Sequence, residues 1–262
     1  MVNPQKNVSL NDTVFPVIEV PAVFTNNNMW TKNTGHKFIV REDTKEVLSC
    51  MTDEYKMVSN YEVIEEVAPI MKKSKAQFRE AQIFGNGSRT KWTWHFPDIK
   101  VKVGKDDVLN PEINIWNSYD GSTELSFTAG AYRIVCSNGL IIGTIIDRKR
   151  NRHSVYNTNL NKISEQINDT VNKCNTVFAD SFTQLIETAV KPTSVPRIVK
   201  ELPQQAIEPF VRYCGRTDIK NYWDLLNAFT WVTTHALNRK HESTHKLENR
   251  VYPIINKLAA VA

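Results

Sequence analysis

The first half of the chain alternates apolar and polar residues over short stretches that end at turn-forming residues. Alternation with a period of two places every second side chain on the same face and is typical of half-buried strands. Lys37–Arg41 and Glu46–Cys50 are predicted to be two strands around a turn at residues 43–45. Further strands are predicted at residues 76–84, 90–96, 99–103, 112–117, 124–128 and 132–136. The short turns between them favour a mostly antiparallel sheet.

Three other regions have the three-to-four residue spacing of a helix. Asn60 is predicted to cap the first, whose acidic residues come early and whose lysines come late, as the helix dipole favours. Apolar residues from Leu160 to Ala189 predict one long helix that ends before Pro192. One or two helices are expected from residue 221 to the C-terminal end.

These elements predict an α+β fold, with a mostly antiparallel sheet packed on the long helix and a C-terminal helical unit. The expected organisation is a flexible N-terminal arm at residues 1–35, an α+β core domain at 36–190, a linker at 191–220 and a C-terminal helical segment at 221–262. The arm is rich in Asn, Thr and Pro, and the linker contains Pro192, Pro196 and Pro203.

The composition of the 262 residues, 41% hydrophobic and 23% charged, is that of an ordinary globular protein. No apolar run approaches the roughly 18 residues that span a bilayer. The N-terminal residues also lack the layout of a secretory signal. The four cysteines, at positions 50, 136, 174 and 214, are far apart and are expected to be reduced thiols. A cytoplasmic protein is the expectation.

Positive charge is concentrated in one segment and one half of the chain. Residues 1–147 carry 16 Lys and Arg against 18 Asp and Glu, whereas residues 148–262 carry 17 against 10. The change comes at Arg148, Lys149, Arg150, Arg152 and His153. Neighbouring cations of this kind bind backbone phosphates, because each contact releases counterions. A solvated surface loop is the alternative interpretation.

Alternating aromatic residues, Trp92, Trp94, Phe96 and Trp116, offer a second candidate surface. Exposed aromatic rings on a sheet can stack on nucleic acid bases. Packing in the core against the long helix is the interpretation that we favour, because one face of the sheet must be buried.

Residues 241–245 spell HExxH, a pattern that places two zinc-binding histidines on one helical face. The pattern is weak here, because its neighbours Arg239, Lys240 and Lys246 are charged and Glu248 is too close to act as a distant third ligand. Chance binding of a metal by His235, His241 and His245 remains open. No metal site, cofactor or catalytic residue is predicted, and neither a glycine-rich phosphate loop nor a GxSxG motif is present.

Residues 117–143, NSYDGSTELSFTAGAYRIVCSNGLIIG, carry a pattern of the form N-x-(H/Y)-D-G-S followed by R-(V/I)-V-C-x-N. This segment resembles a phage- and plasmid-encoded family of unknown function. Residues 38–65 and 223–230 are similar to the flanking parts of the same family, although this chain has Gly139 where many relatives have another small or polar residue. The resemblance implies a protein of a mobile element that acts in the cytoplasm of a bacterial host. It implies no catalytic residues.

The motif positions of this chain are Asp120, Gly121, Arg133, Cys136 and Asn138. We expect a turn at Asp120–Gly121, packing of Cys136 and a strand-end hydrogen bond from Asn138. Arg133 is expected either to bind nucleic acid or to pair with Asp120.

The resulting hypothesis is a bacteriophage or mobile-element protein that is not an enzyme and binds nucleic acid, single-stranded DNA in the first place, during recombination or replication. Its expected partners are nucleic acid, further copies of itself as a homo-oligomer, and a host protein. The first alternative is a protein–protein interaction module, such as an inhibitor of host defence or an assembly component. The second, less favoured, is a metal-dependent hydrolase.

Overall fold

The computed structural model describes residues 7–26, 29–103, 107–123, 125–133, 139–140, 148–151, 181–237 and 241–262. Its strands are β1 (Asn7–Val8), β2 (Val17–Asn26), β3 (Met29–Arg41), β4 (Glu46–Thr52), β5 (Gln77–Phe84), β6 (Arg89–His95), β7 (Val101–Val103), β8 (Asp107–Ser118), β9 (Leu125–Arg133), β10 (Gly139–Leu140) and β11 (Arg148–Asn151). The described helices are α1 (Asn60–Lys73), α2 (residues 181–187), α3 (Ser194–Val199), α4 (Gln204–Arg216), α5 (Tyr222–Trp231) and α6 (His241–Ala260). Two antiparallel sheets and several helices confirm the α+β class.

Within the described residues, the larger sheet contains eight strands in the order β1-β5-β6-β8-β9-β10, with β7 beside β8 and β11 beside β9. Its buried apolar residues include Trp92, Ile115, Leu125 and Phe127. The predicted strand at residues 124–128 and the start of the one at 132–136 belong to a single strand, because β9 runs without a break from Leu125 to Arg133. Residues 134–136 lie outside the described residues. Gly130 lies inside this strand, where the sequence suggested a turn.

The smaller sheet has the order β2-β3-β4 and corrects the expectation of a flexible N-terminal arm. Within the predicted arm, residues 17–26 form β2 and residues 29–35 begin β3. Phe15 is buried with Ile39 and Tyr119, so this part of the chain is attached by apolar packing. Composition misled the prediction, because Asn26 and Asn33 are paired in a ladder that extends from Val17↔Arg41 to Asn26↔Met29.

Helix α1 begins one residue earlier than its predicted cap suggests. Ser59, not Asn60, is the N-cap, since its hydroxyl accepts from the backbone N–H of Glu62 while the Glu62 carboxylate accepts from the backbone N–H of Ser59. This reciprocal pair is a capping box. Pro69 lies inside the helix without ending it, and Val63, Val67 and Met71 form its buried stripe.

Residues 191–220 are not a linker, because they contain α3 and α4. Pro196 lies in the first turn of α3 and Pro203 caps α4, positions where a missing backbone N–H breaks no helical hydrogen bond. Asn221 caps α5, with Asp224 completing a capping box. A π-helical turn, Val232–Ala236, follows α5. Helices α2 to α6 share one apolar core that includes Phe182, Phe210 and Phe229.

The predicted long helix lies mostly outside the described residues, and only its final part, α2, can be compared. The described residues divide into two compact units. One lies within Met1–Trp94, Asn114–Phe127 and Lys149–Asp169, and the other within His95–Ile113, Thr128–Arg148 and Thr170–Ala262. None of the helices in the described ranges is both long and apolar enough to cross a membrane.

Candidate functional site

The predicted basic segment begins as a strand. Arg148, Lys149 and Arg150 are consecutive residues of β11, which pairs with β9 and with no other strand in the described part of the chain. A strand advances about 3.3 Å per residue and holds its backbone extended. The three positions are therefore held at fixed spacing by the sheet. Arg152 and His153 lie outside the described residues.

Arg133 is the last residue of β9, the strand that also pairs with β11. The ion pair of Asp120 that the structure shows is with Arg89, whose Nε lies 3.5 Å from Asp120 Oδ2. Strand β10 pairs with the same end of β9, through Gly139↔Tyr132 and Leu140↔Ala131. Cys136 and Asn138 lie outside the described residues.

The Asp-Gly-Ser part of the motif forms a tight turn between β8 and β9. Asp120 Oδ1 accepts from the backbone N–H of Ser122, and Ser118 Oγ donates to the Thr123 carbonyl oxygen. Gly121 has φ +66°, and a Cβ at this position would lie 2.9 Å from Met51 Cε. The turn therefore favours glycine for its backbone conformation, as the sequence predicted.

A buried hydrogen-bond network surrounds Asn60 at the start of α1. The Asn60 amide Nδ2 donates to the Thr13 carbonyl oxygen (2.8 Å) and to Thr90 Oγ1 (3.0 Å). Its Oδ1 accepts from Asn117 Nδ2 at 2.9 Å, and its backbone N–H donates to Tyr119 Oη at 2.7 Å. Asn60, Asn117 and Thr90 are all fully buried. Two motif residues, Asn117 and Tyr119, thus join the turn to the helix.

Burial also changes the acidity of two tyrosines in this region. Desolvation raises the pKa of Tyr119 well above its ordinary value, although the hydrogen bond from the Asn60 backbone acts in the opposite direction. Desolvation likewise raises the pKa of Tyr55, whose hydroxyl donates to the Ser118 carbonyl oxygen at 2.9 Å. Both hydroxyls remain protonated at neutral pH. They act as hydrogen-bonding groups of the fold, and neither is placed to become a base.

The aromatic set is buried, as the core-packing interpretation predicted. Trp92 and Phe96 are 0% and 1% exposed, and Trp94 and Trp116 are at most 6% exposed. Trp92 Nε1 donates to Thr13 Oγ1 at 2.8 Å, which ties this ring to the network around Asn60. None of the four rings offers a surface on which a base could stack.

Trp116 belongs to a separate cluster of cations and aromatic rings. It stacks on Phe84 at 5.6 Å between centroids, and Lys91 Nζ lies 5.9 Å from its ring centre. Arg89 Cζ lies 5.9 Å from the centre of the Phe84 ring. Lys91 is only 4% exposed, so these cation–π contacts stabilise the sheet rather than present charge to a ligand.

The HExxH segment begins α6, at His241. Ser243 is exposed and Thr244 is half-buried, while the side chains of His241, Glu242 and His245 lie outside the described set. Glu248 is buried and accepts from Thr233 Oγ1 at 3.2 Å. Among the side chains that the structure describes, no group of three His, Cys, Asp or Glu residues could hold a metal ion.

Sequence reasoning did not anticipate the network around Asn60 or an exposed apolar face on the three-stranded sheet. The network joins residues 30 to 79 positions apart in the chain, so no local pattern reveals it. The exposed face did leave a signal. Phe38, Ile39 and Val40 are consecutive and apolar, which means that apolar residues point to both faces of β3.

Comparison with known proteins gives one family and no closer relative. No curated protein matches the chain, and no solved structure does. A family model described as "Domain of unknown function (DUF932)" matches residues 47–251, which include α1, the Asp-Gly-Ser turn, β11 and most of the described helices. The chain therefore belongs to the family of domain of unknown function DUF932.

Proposed function

We propose that this chain is a mobile-element protein of the bacterial cytoplasm that binds nucleic acid, single-stranded DNA in the first place, without catalysing a reaction. The proposed contact is the segment Arg148, Lys149, Arg150, Arg152 and His153, with Arg133, at the end of β9, as a further cation. The observation that carries the proposal is the placement of three consecutive cationic residues on strand β11.

Two physical arguments support this contact. A strand that is already paired with β9 has lost its backbone freedom on folding, so binding does not have to order it again. The chain also changes from a net charge of −2 before residue 148 to +7 from there onward, so a polyanion is attracted to this half. A different role for the same cations is to prevent edge-to-edge strand pairing, a known use of charge on edge strands.

The direct experiment compares two variants that each lose four positive charges. In the first, Arg148, Lys149, Arg150 and Arg152 are replaced by Gln. In the second, four exposed lysines elsewhere are replaced by Gln: Lys56, Lys72, Lys200 and Lys257. Fluorescence anisotropy with labelled single-stranded DNA should show at least about a hundredfold loss of affinity for the first variant and a much smaller loss for the second.

Equal affinities of the first variant and the unaltered chain would contradict the proposal. If that variant also aggregated, the cations of β11 would instead serve to keep the sheet edge unpaired. The protein–protein interaction alternative makes a different prediction. In that case a host protein would stay bound to the chain in a lysate pull-down after nuclease treatment, and DNA affinity would be weak for every variant.

A further inference from the structure

The three-stranded sheet has one face packed inward and one face open to solvent. On the inner side, Ile39 is fully buried with Phe15, Tyr55 and Tyr119. The opposite side, here called the outer face, contains Ile18, Val20, Phe38, Val40, Val47 and Cys50, with His36, Thr52 and Glu42 at its ends. Ile18, Val20 and Phe38 are 37–40% exposed, and Val47 is 60% exposed.

Strand register aligns these residues in two apolar rows across the sheet. One row is Ile18↔Val40↔Val47, and the next is Val20↔Phe38↔Cys50. A β-bulge between Ile39 and Val40 keeps Val47 on the outer face. Glu42 follows Arg41, the last residue of β3, and its backbone N–H donates to the Pro16 carbonyl oxygen at 2.9 Å, which continues the pairing beyond the first row. His36 precedes the second row on β3. The outer face is therefore nearly symmetric about a line that crosses the strands between Phe38 and Val40.

We propose that the outer face binds the same face of a second copy of this chain, around a two-fold axis that runs across the strands. Such an axis reverses the strand direction and places each apolar row on the other row of the second copy. Val40 then lies over Phe38, and Val47 lies over Cys50. Two sheets stack in this way about 10 Å apart with their apolar side chains between them.

The charged ends select this arrangement over the other symmetric one. An axis along the strands would place the two Glu42 carboxylates over each other, which is repulsive. The axis across the strands places each Glu42 over His36 of the second copy instead. Both residues are exposed, so they can adjust to the partner. A self-complementary surface of this kind is the basis of a two-fold symmetric dimer.

The size of the outer face predicts how tight the dimer is. Three strands about 4.8 Å apart, followed over six residues of about 3.4 Å each, cover on the order of 300 Å². Standard stable interfaces bury about 800 Å² per partner. The dimer should therefore be weak and reversible, and it should form only at high protein concentration. This inference is independent of nucleic acid binding, because it concerns the N-terminal strands alone.

Sedimentation velocity of the full chain over a wide concentration range tests the proposal. The unaltered chain should change from monomer to dimer. Val47→Lys buries a charge in the interface and should raise the dissociation constant about tenfold or more. Val211→Lys, at a half-exposed valine on α4, is the matched control and should leave the dissociation constant unchanged.

Exchanging the charges at His36 and Glu42 tests the orientation of the two copies without changing the apolar rows. His36→Glu places carboxylates opposite each other and should weaken the dimer, and adding Glu42→Lys should restore it. Both sites are on the surface, so this pair remains informative even if Val47→Lys fails to fold. A chain that stays monomeric throughout would overturn the proposal and assign the outer face to a partner of different sequence. A dimer unaffected by both Val47→Lys and His36→Glu would also overturn it.

Discussion

The described strands and the described helices bury very different side chains. The helices from α2 to α6 enclose an almost wholly apolar core, in which Phe210 and Phe229 are fully buried. The strands and the segments that pack on them, including the start of α1, instead bury many polar groups: Thr13, Asn60, Thr90, Lys91, Thr93, Asn114, Asn117, Ser118 and Ser126. Buried polar groups are costly unless they are hydrogen-bonded, and the network around Asn60 is densely bonded. Close packing of apolar side chains stabilises the helical core, whereas the strands also need particular hydrogen-bond partners.

The largest expected effect comes from removing a ring in the helical core. Phe210→Ala should lower the free energy of unfolding by about 4 kcal/mol, because it loses apolar burial and leaves a cavity. Phe210→Leu, which keeps most of the volume, should cost less than about 2 kcal/mol. Urea denaturation followed by circular dichroism measures both. Equal losses for the two variants would contradict the claim that shape dominates this core.

The hydrogen-bond network around Asn60, in contrast to the helical core, should not tolerate an apolar replacement of similar volume. Asn60→Leu should lower the free energy of unfolding by about 3 kcal/mol, because it leaves Asn117 Nδ2 and Thr90 Oγ1 without this partner. A double-mutant cycle of Asn60→Ala and Asn117→Ala should give a coupling of about 1–2 kcal/mol. Additive losses would mean that the two amides do not act as one network.

A smaller effect is expected at alkaline pH. The pKa values of Tyr55 and Tyr119 are raised by burial, so the fold favours their neutral, protonated forms. Their contribution to stability is complete below the ordinary tyrosine pKa of about 10 and is lost as the pH rises above it. Denaturant midpoints from about pH 8 to about pH 11 should therefore fall, and Tyr119→Phe should flatten that fall. If the denaturant midpoint of Tyr119→Phe fell with pH as steeply as that of the unaltered chain, ionisation of Tyr119 would not contribute to the loss of stability.

Local signals in the sequence predicted local structure well. The turn at Asp120–Gly121 and the strands predicted at residues 76–84 and 90–96, which are β5 and β6, match the structure. The errors came where the amino-acid composition of a segment was used to predict that it does not pack against the rest of the chain. Asn-rich and Pro-rich segments were expected to be an arm and a linker, but tertiary contacts made by Phe15 and by α4 fix them in place.

The candidate site was predictable only in part. A run of basic residues can be recognised directly in a sequence, and the segment that begins at Arg148 was recognised in this way. Its placement on strand β11 was not visible, because three basic residues and an asparagine have no apolar alternation that would predict a strand. The ion pair of Asp120 with Arg89 was missed for a similar reason, since the two residues are distant in the chain and are brought together by β6 and β8.

The salt dependence of DNA binding tests the central claim most directly. For single strands, the slope of log K against log salt concentration is about −0.7 per phosphate neutralised. Replacing Arg148, Lys149, Arg150 and Arg152 by Gln should therefore make the slope less steep by up to about 3, whereas the control variant at Lys56, Lys72, Lys200 and Lys257 should keep most of it. The same slope for the first variant and the unaltered chain would show that these four residues do not contact phosphates.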